Sequence, residues 1–220
     1  MDPYTPQEMA HRIEVGGVAK ANLDAARTFV LAILGGSFIA LGAVFSLIVT
    51  TNSNLGFGMI RLVGGMSFSL GLVLVLVGGA ELFTGNALLV MAWGAGRVSA
   101  RQIFRNWAIV YVGNLIGATL TAWGIWLSNI SGLDGGRVGD AAVALAHVKL
   151  NLSFVEATVR GIFCNVLVGL AVWLGFSARS TTDKILCIVF PVSAFVAAGF
   201  EHSIANMFVI PYAMMIDRQA

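Results

Sequence analysis

The sequence predicts an all-α polytopic membrane protein, folded as an inverted repeat around two broken transmembrane helices. Three observations carry this. Apolar stretches of membrane length recur along 220 residues that are 58% hydrophobic and 11% charged, whereas an ordinary soluble domain carries about 25% charge. Two of these stretches are interrupted by polar strings that copy each other: Gly79-Ala80-Glu81-Leu82-Phe83-Thr84-Gly85-Asn86 and Gly199-Phe200-Glu201-His202-Ser203-Ile204-Ala205-Asn206. Gly, Glu and Asn recur at an offset of 120 residues, with a small residue before each Asn. Finally, basic residues concentrate in alternate connections, which places the two copies on spans of opposite direction. A carboxylate and an amide at membrane depth are tolerated only when buried in protein or lining a cavity. Paired breaks in the two halves therefore point to a substrate path of a channel or transporter.

Residues 1–28 form the only sizeable polar segment before the membrane, and the spans fill residues 29–215. Thr5-Pro6-Gln7-Glu8 is a capping box with proline at the first helical position. The helix it starts has Met9 and Ile13 on one side and either stands in solvent or lies on the membrane surface. Span one covers Phe29–Val49. Span two begins at Leu62, runs to Gly79, breaks over Glu81–Asn86 and resumes through Leu88–Trp93. Span three covers Trp107–Leu127 and is followed by a glycine-rich loop, Gly132–Gly136, with Lys149 in the same connection. Span four covers Phe154–Phe176. Span five runs Ile185–Gly199, breaks over Glu201–Asn206 and resumes to Met215. The repeat extends weakly to residues 36–41 against 165–170.

Arg12, Lys20 and Arg27 precede span one, Arg97, Arg101 and Arg105 precede span three, and Arg179 and Lys184 precede span five. All three groups fall on one side, so the N-terminus is expected in the cytoplasm. Trp93, Trp107 and Trp173 then mark the inner interface, and Trp123 and Trp126 the outer one. Other classes lack support. There is no basic patch with interleaved aromatics for nucleic acid, and no short apolar region with a small-residue cleavage site for a signal peptide. Cys164 and Cys187 sit in apolar stretches as small core residues. No metal-ligand spacing, nucleophile motif or cofactor fingerprint is present, so neither an enzyme nor a cofactor is expected.

His202 is the sharpest candidate, because it sits at a helix break beside a carboxylate in the duplicated string. Thr84 alone would only bond a helix carbonyl, but its place in the motif makes it a pore candidate. Glu81 and Glu201 read as structural, each tying down freed backbone N–H groups of its own break, in preference to a proton relay. Asn86 and Asn206 read as local caps for the half-helices. Asn165 lies inside span four, where an amide needs a partner, and is expected to face the pore.

These residues carry a family resemblance. Glu81-Leu82-Phe83-Thr84-Gly85-Asn86, Arg160-Gly161-Ile162-Phe163-Cys164-Asn165 and Gly199 through Phe208 resemble the formate/nitrite transporter family, from about Phe29 to Met215. Phe176-Ser177-Ala178-Arg179-Ser180 followed by Asp183-Lys184 is more similar to its formate-channel branch than to the nitrite or hydrosulfide branches. The resemblance implies an aquaporin-like protomer, a homopentamer with one pore per protomer, and the cytoplasmic (inner) membrane. It implies formate or a similar small anion as substrate. By position it makes Thr84 and His202 the central pore residues, with Asn165 as partner and Lys149 as the pore lysine. It makes Phe68, Leu72, Phe83 and Phe195 the apolar constrictions. The family pattern has six spans, and five are legible before Ala220. An aquaporin-type neutral-solute channel would share the half-helices, but its Asn-Pro-Ala triplet does not occur here.

The expected mechanism follows. Lys149 and the positive ends of half-helices attract the anion. Apolar rings strip its water. Thr84, His202 and Asn165 replace that water, and His202 is positioned to lend a proton so that a weak acid crosses the next constriction neutral.

Overall fold

The computed structural model describes residues 3–217. Among them the chain forms nine α-helices: α1 (Pro6–Ala21), α2 (Ala25–Thr50), α3 (Phe57–Gly78), α4 (Leu89–Gly94), α5 (Ala100–Leu127), α6 (Arg137–Leu150), α7 (Phe154–Gly175), α8 (Thr181–Ala198) and α9 (Ser203–Asp217). Short 3-10 turns at Gly85–Leu88 and Ile130–Gly136 lead into α4 and α6. Helices α2, α3, α5, α7 and α8 are long and apolar enough to cross a membrane. The pairs α3–α4 and α8–α9 are the broken spans, as the duplicated strings predict.

Side-chain caps set the helix starts, and several come earlier than the hydrophobic pattern suggests. Asp24 accepts from the Arg27 N–H at 2.9 Å, so α2 begins at Ala25 instead of Phe29. Ser99 and Gln102 form a capping box that starts α5 at Ala100, placing Arg101 and Arg105 on the helix. Polar first turns of membrane helices escape a reading based on apolar length, because the cap and not hydropathy defines them.

The chain between the glycine-rich turn and span four is helical, which corrects the expectation of a loop there. Val138, Ala142 and Ala146 recur every fourth residue and are buried, so α6 packs on one face, chiefly against α9. Lys149 therefore sits on the last turn of a helix. Helix α1 is neither free in solvent nor spread on a surface: Met9, Ile13, Gly17 and Ala21 are buried, with Gly17 facing Ala92 of α4. Its start is pinned by the Tyr4 ring, which lies between the guanidinium groups of Arg12 at 4.0 Å and Arg179 at 3.7 Å. The Thr5 backbone and hydroxyl both donate to the Glu8 carboxylate and hold its pKa below the ordinary value.

The repeat is larger than the sequence reading found. Helices α3–α4 map onto α8–α9 at an offset of 120, while α1–α2 map onto α6–α7 at 129. The second offset superposes Lys20-Ala21-Asn22-Leu23 on Lys149-Leu150-Asn151-Leu152. Both asparagines are C-caps whose Nδ2 bonds the carbonyl four residues back, Asn22 to Val18 at 3.0 Å and Asn151 to His147 at 2.8 Å.

Close helix contacts hold the bundle, since helices in lipid associate through small residues and packing. A Cβ on Gly36 would strike the Asn114 carbonyl, and one on Gly117 the Ile33 carbonyl, so α2 and α5 touch backbone to backbone. At the α3–α8 contact, a Cβ on Gly65 would lie 2.6 Å from Ser193 Cα. Gly65→Ala is therefore expected to lower stability by about 1–3 kcal/mol, the usual cost of overpacking. A lowered thermal midpoint in detergent checks this. The outer faces are apolar, with Phe57, Phe154 and Phe190 strongly exposed, as suits contact with lipid or a neighbouring subunit.

Candidate functional site

Each break begins with a glycine in the left-handed region, Gly79 (φ 80°) and Gly199 (φ 75°), which ends the preceding half-helix. The freed backbone then finds partners on neighbouring helices: the Glu81 N–H donates to Leu31 O at 3.1 Å, and the Glu201 N–H to Arg160 O at 3.4 Å. These acceptors are also related by the 129-residue offset.

The two carboxylates are structural in a different way from that expected. Neither holds the backbone N–H groups of its break; each binds a lysine and an asparagine. Lys20 Nζ donates to Glu81 Oε1 at 2.7 Å and to Asn86 Oδ1 at 3.0 Å, and Asn86 Nδ2 donates to Glu81 Oε2 at 2.6 Å. In the second copy, Lys149 Nζ donates to both Glu201 oxygens, at 3.1 and 2.9 Å, and Asn206 Nδ2 donates to Glu201 Oε2 at 2.8 Å. Asn86 and Asn206 thus fasten the carboxylate five residues back and do not cap N–H groups. Lys149 is the more enclosed lysine, with its side chain 13% exposed against 38% for Lys20.

Two amides that the sequence reading passed over complete the first break. Asn114 Nδ2 donates to Ala32 O at 2.6 Å and Glu81 O at 2.9 Å, and its Oδ1 accepts from the Phe83 N–H at 2.9 Å. Asn106 Oδ1 accepts from Asn86 Nδ2 at 2.9 Å. Both are fully buried on α5. The available signal was Asn114 inside the apolar third span, where an amide demands a partner, whereas Asn106 falls just before that span as read from hydropathy. Asn114→Leu leaves the Phe83 N–H and the Glu81 carbonyl without this partner, at about 1–3 kcal/mol per orphaned group. A large drop in the detergent unfolding midpoint is expected, with Thr84 displaced.

The breaks meet at the centre. Thr84 Oγ1 and His202 Nε2 lie 3.3 Å apart and both residues are buried. His202 Nδ1 accepts from the Ala205 N–H at 3.2 Å, so the neutral ring carries its proton on Nε2 and donates it to Thr84 Oγ1. The Thr84 hydroxyl hydrogen is then free for another acceptor. Phe195 stacks on His202 at 5.8 Å and 22°, and Phe68 meets both rings edge-on at 6.1 and 5.8 Å.

Two cavities adjoin this pair. One, of about 290 Å³, is lined by Phe68, Lys149, Phe195, Glu201 and His202. The other, of about 300 Å³, is lined by Phe83, Thr84, Asn165 and Glu201. Asn165 Oδ1 is buried without a hydrogen-bond partner among the described residues. A smaller cavity of about 80 Å³ near α1 contains Lys20, Leu72 and Asn86. Phe68, Phe195 and His202 thus form one cluster, with Leu72 one turn beyond Phe68. Phe83 lies apart and packs edge-on against Tyr111 at 5.2 Å and Trp107 at 6.4 Å.

The profile of the formate/nitrite transporter family matches residues 7–220. The chain belongs to that family. The formate channel FocA of Escherichia coli (strain K12) is 45% identical over 216 residues, covering 98% of this chain and 76% of the relative. FocA of Haemophilus influenzae is 38% identical over 212 residues, covering 96% and 75%. A solved pentameric formate channel with formate bound superposes with a TM-score of 0.85 at 43% identity, covering 89% of this chain and 77% of that one. This formate/nitrite transporter family member is a multi-pass membrane protein of inverted-repeat architecture. The resemblance drawn from its break motifs is therefore upheld.

Proposed function

We propose that this chain passes formate through a pore in each protomer of a homopentamer in the inner membrane, with the N-terminus in the cytoplasm. The observation that carries this reading is the Thr84–His202 pair, buried at the meeting point of the two breaks and walled by Phe68 and Phe195. Formate channels among the relatives and the pentameric neighbour supply the substrate and the assembly.

Bare transfer of an anion into hydrocarbon costs tens of kcal/mol in the Born limit. Lys149, held by Glu201 in the cavity wall, lowers that cost by attraction. The rings of Phe68 and Phe195, with Leu72, narrow the path and exclude water. At the centre the Thr84 hydroxyl donates to the carboxylate. A proton drawn from the acidic side makes the His202 ring cationic; passing Nε2–H to formate, through Thr84 or directly, yields formic acid and returns the ring to neutral, and Asn165 Oδ1 accepts the O–H of the neutral acid. Phe83 and Thr84 share a break, so movement of that segment opens or closes the path. Residues 1–28 form the cytoplasmic helix, and residues 29–215 the channel.

The test is formate flux into proteoliposomes at pH 7 and pH 5, with nitrite and hydrosulfide as competitors. Formate-selective flux supports the proposal. Silence, or preference for a competitor, overturns it.

A further inference from the structure

The repeat matches the Lys–Glu–Asn groups of the two breaks but leaves the two mouths different. The cavity next to His202 is lined by three cationic side chains, Arg61, Lys149 and Arg160, and one carboxylate, Glu201. Glu201 pairs with Lys149, so no carboxylate of this lining pairs with the two arginines. The cavity at the other end of α3 has Lys20 as its one charged lining residue, and Glu81 holds it. The positions that the offsets match to Arg160 and Arg61 are Leu31 and Thr181, neither charged. The symmetric scaffold does not require these arginines.

Their geometry leaves donors available. Arg61 Nε donates to Ala197 O at 2.8 Å, fixing the guanidinium beside Gly199 at the end of α8. Its terminal nitrogens have no acceptor among the described residues. Arg160 has no side-chain hydrogen bond or ion pair among them. Glu156, one turn earlier on α7, feels the Arg160 charge, but its carboxylate is bonded by the Ser153 backbone and hydroxyl at 2.9 and 2.7 Å and makes no ion pair with it. Both arginines are half-buried, so their charge is only partly screened by water. A guanidinium fork pairs two parallel N–H bonds with a planar two-oxygen anion, which a spherical anion cannot match.

We propose that Arg61 and Arg160 form a docking site at this mouth for small planar monocarboxylates, which are captured there before they reach Lys149 and His202. The substrate class rests on the function proposed above; the site itself does not. It concentrates carboxylate at one mouth through a charged cavity with low-dielectric walls and favours two-oxygen anions over hydrosulfide.

The test uses the full chain with Arg61→Gln, Arg160→Gln and both together, each checked for oligomer size and unfolding midpoint. The double variant is expected to raise the half-saturating formate concentration about tenfold at low ionic strength, with the maximal flux kept within about twofold. The difference shrinks towards nothing by about 0.5 M salt. In a planar bilayer it is seen when formate is added to one face only. Arg160→Lys keeps the salt-dependent capture but loses preference for formate over hydrosulfide. A direct binding readout accompanies these: formate protects Arg61 and Arg160 from phenylglyoxal, mapped by mass spectrometry. Unchanged half-saturation together with absent protection overturns the site. A wild-type chain that is silent in flux but protected by formate keeps the site and sinks the function proposed above; silence without protection sinks both.

Discussion

Lys149→Met is expected to destabilise the fold by about 3–5 kcal/mol, because it leaves the Glu201 carboxylate buried with one amide as its remaining partner. The side chains of Lys149 and Glu201 are 13% and 11% exposed, so water from the adjoining cavities replaces the lost ammonium only in part. Lys20→Met breaks the related contact at smaller cost, since the Lys20 side chain is 38% exposed and Asn86 still binds Glu81. Pairing Lys149→Met with Glu201→Gln removes the stranded charge and restores most of the stability, but not formate passage, because the attracting ammonium is gone. Unfolding in detergent and flux, measured on all variants, separate these effects. A Lys149→Met loss no greater than that of Lys20→Met would contradict the argument.

His202→Phe is expected to keep the fold, at a cost of about 1–3 kcal/mol for the orphaned Ala205 N–H, and to cripple passage. Phenylalanine keeps the ring stack on Phe195 and the edge contact with Phe68. It removes the acceptor of the Ala205 N–H and the donor to Thr84. A hydrogen bond involving a charged group is worth about 1.5–3 kcal/mol, so formate flux falls roughly tenfold to hundredfold. Dependence on a pH gradient disappears with it. His202→Asn separates the two roles: an amide can still donate to Thr84 but has no proton to lend, so it retains more flux without the pH dependence. Gradient-driven uptake that persists in His202→Phe would eliminate the proton step.

The architecture was legible because its defining residues are polar in apolar surroundings and recur at fixed spacing. Glu81, Asn86, Glu201 and Asn206 could be found without any contact being known. Their partners could not, since Lys20 and Lys149 lie 61 and 52 residues from the carboxylates they bind. The fourfold spacing of Val138, Ala142 and Ala146 did announce α6, but the preceding glycines drew the reading towards a loop. The same error hid the match between the two Lys-x-Asn-Leu strings. Phe83 was grouped with the other aromatics by position, yet its contacts with Trp107 and Tyr111 depend on how the break folds.

The matched Lys–Glu–Asn knots bear on how the pore treats direction. The knots recur at both breaks, but the residues between them do not: the 120-residue offset sets Leu82 against His202 and Ile204 against Thr84. An ion therefore meets different partners from each side, while the direction of net flow is set by whichever gradient the cell maintains. Rectification can arise at the centre as well as at the rims.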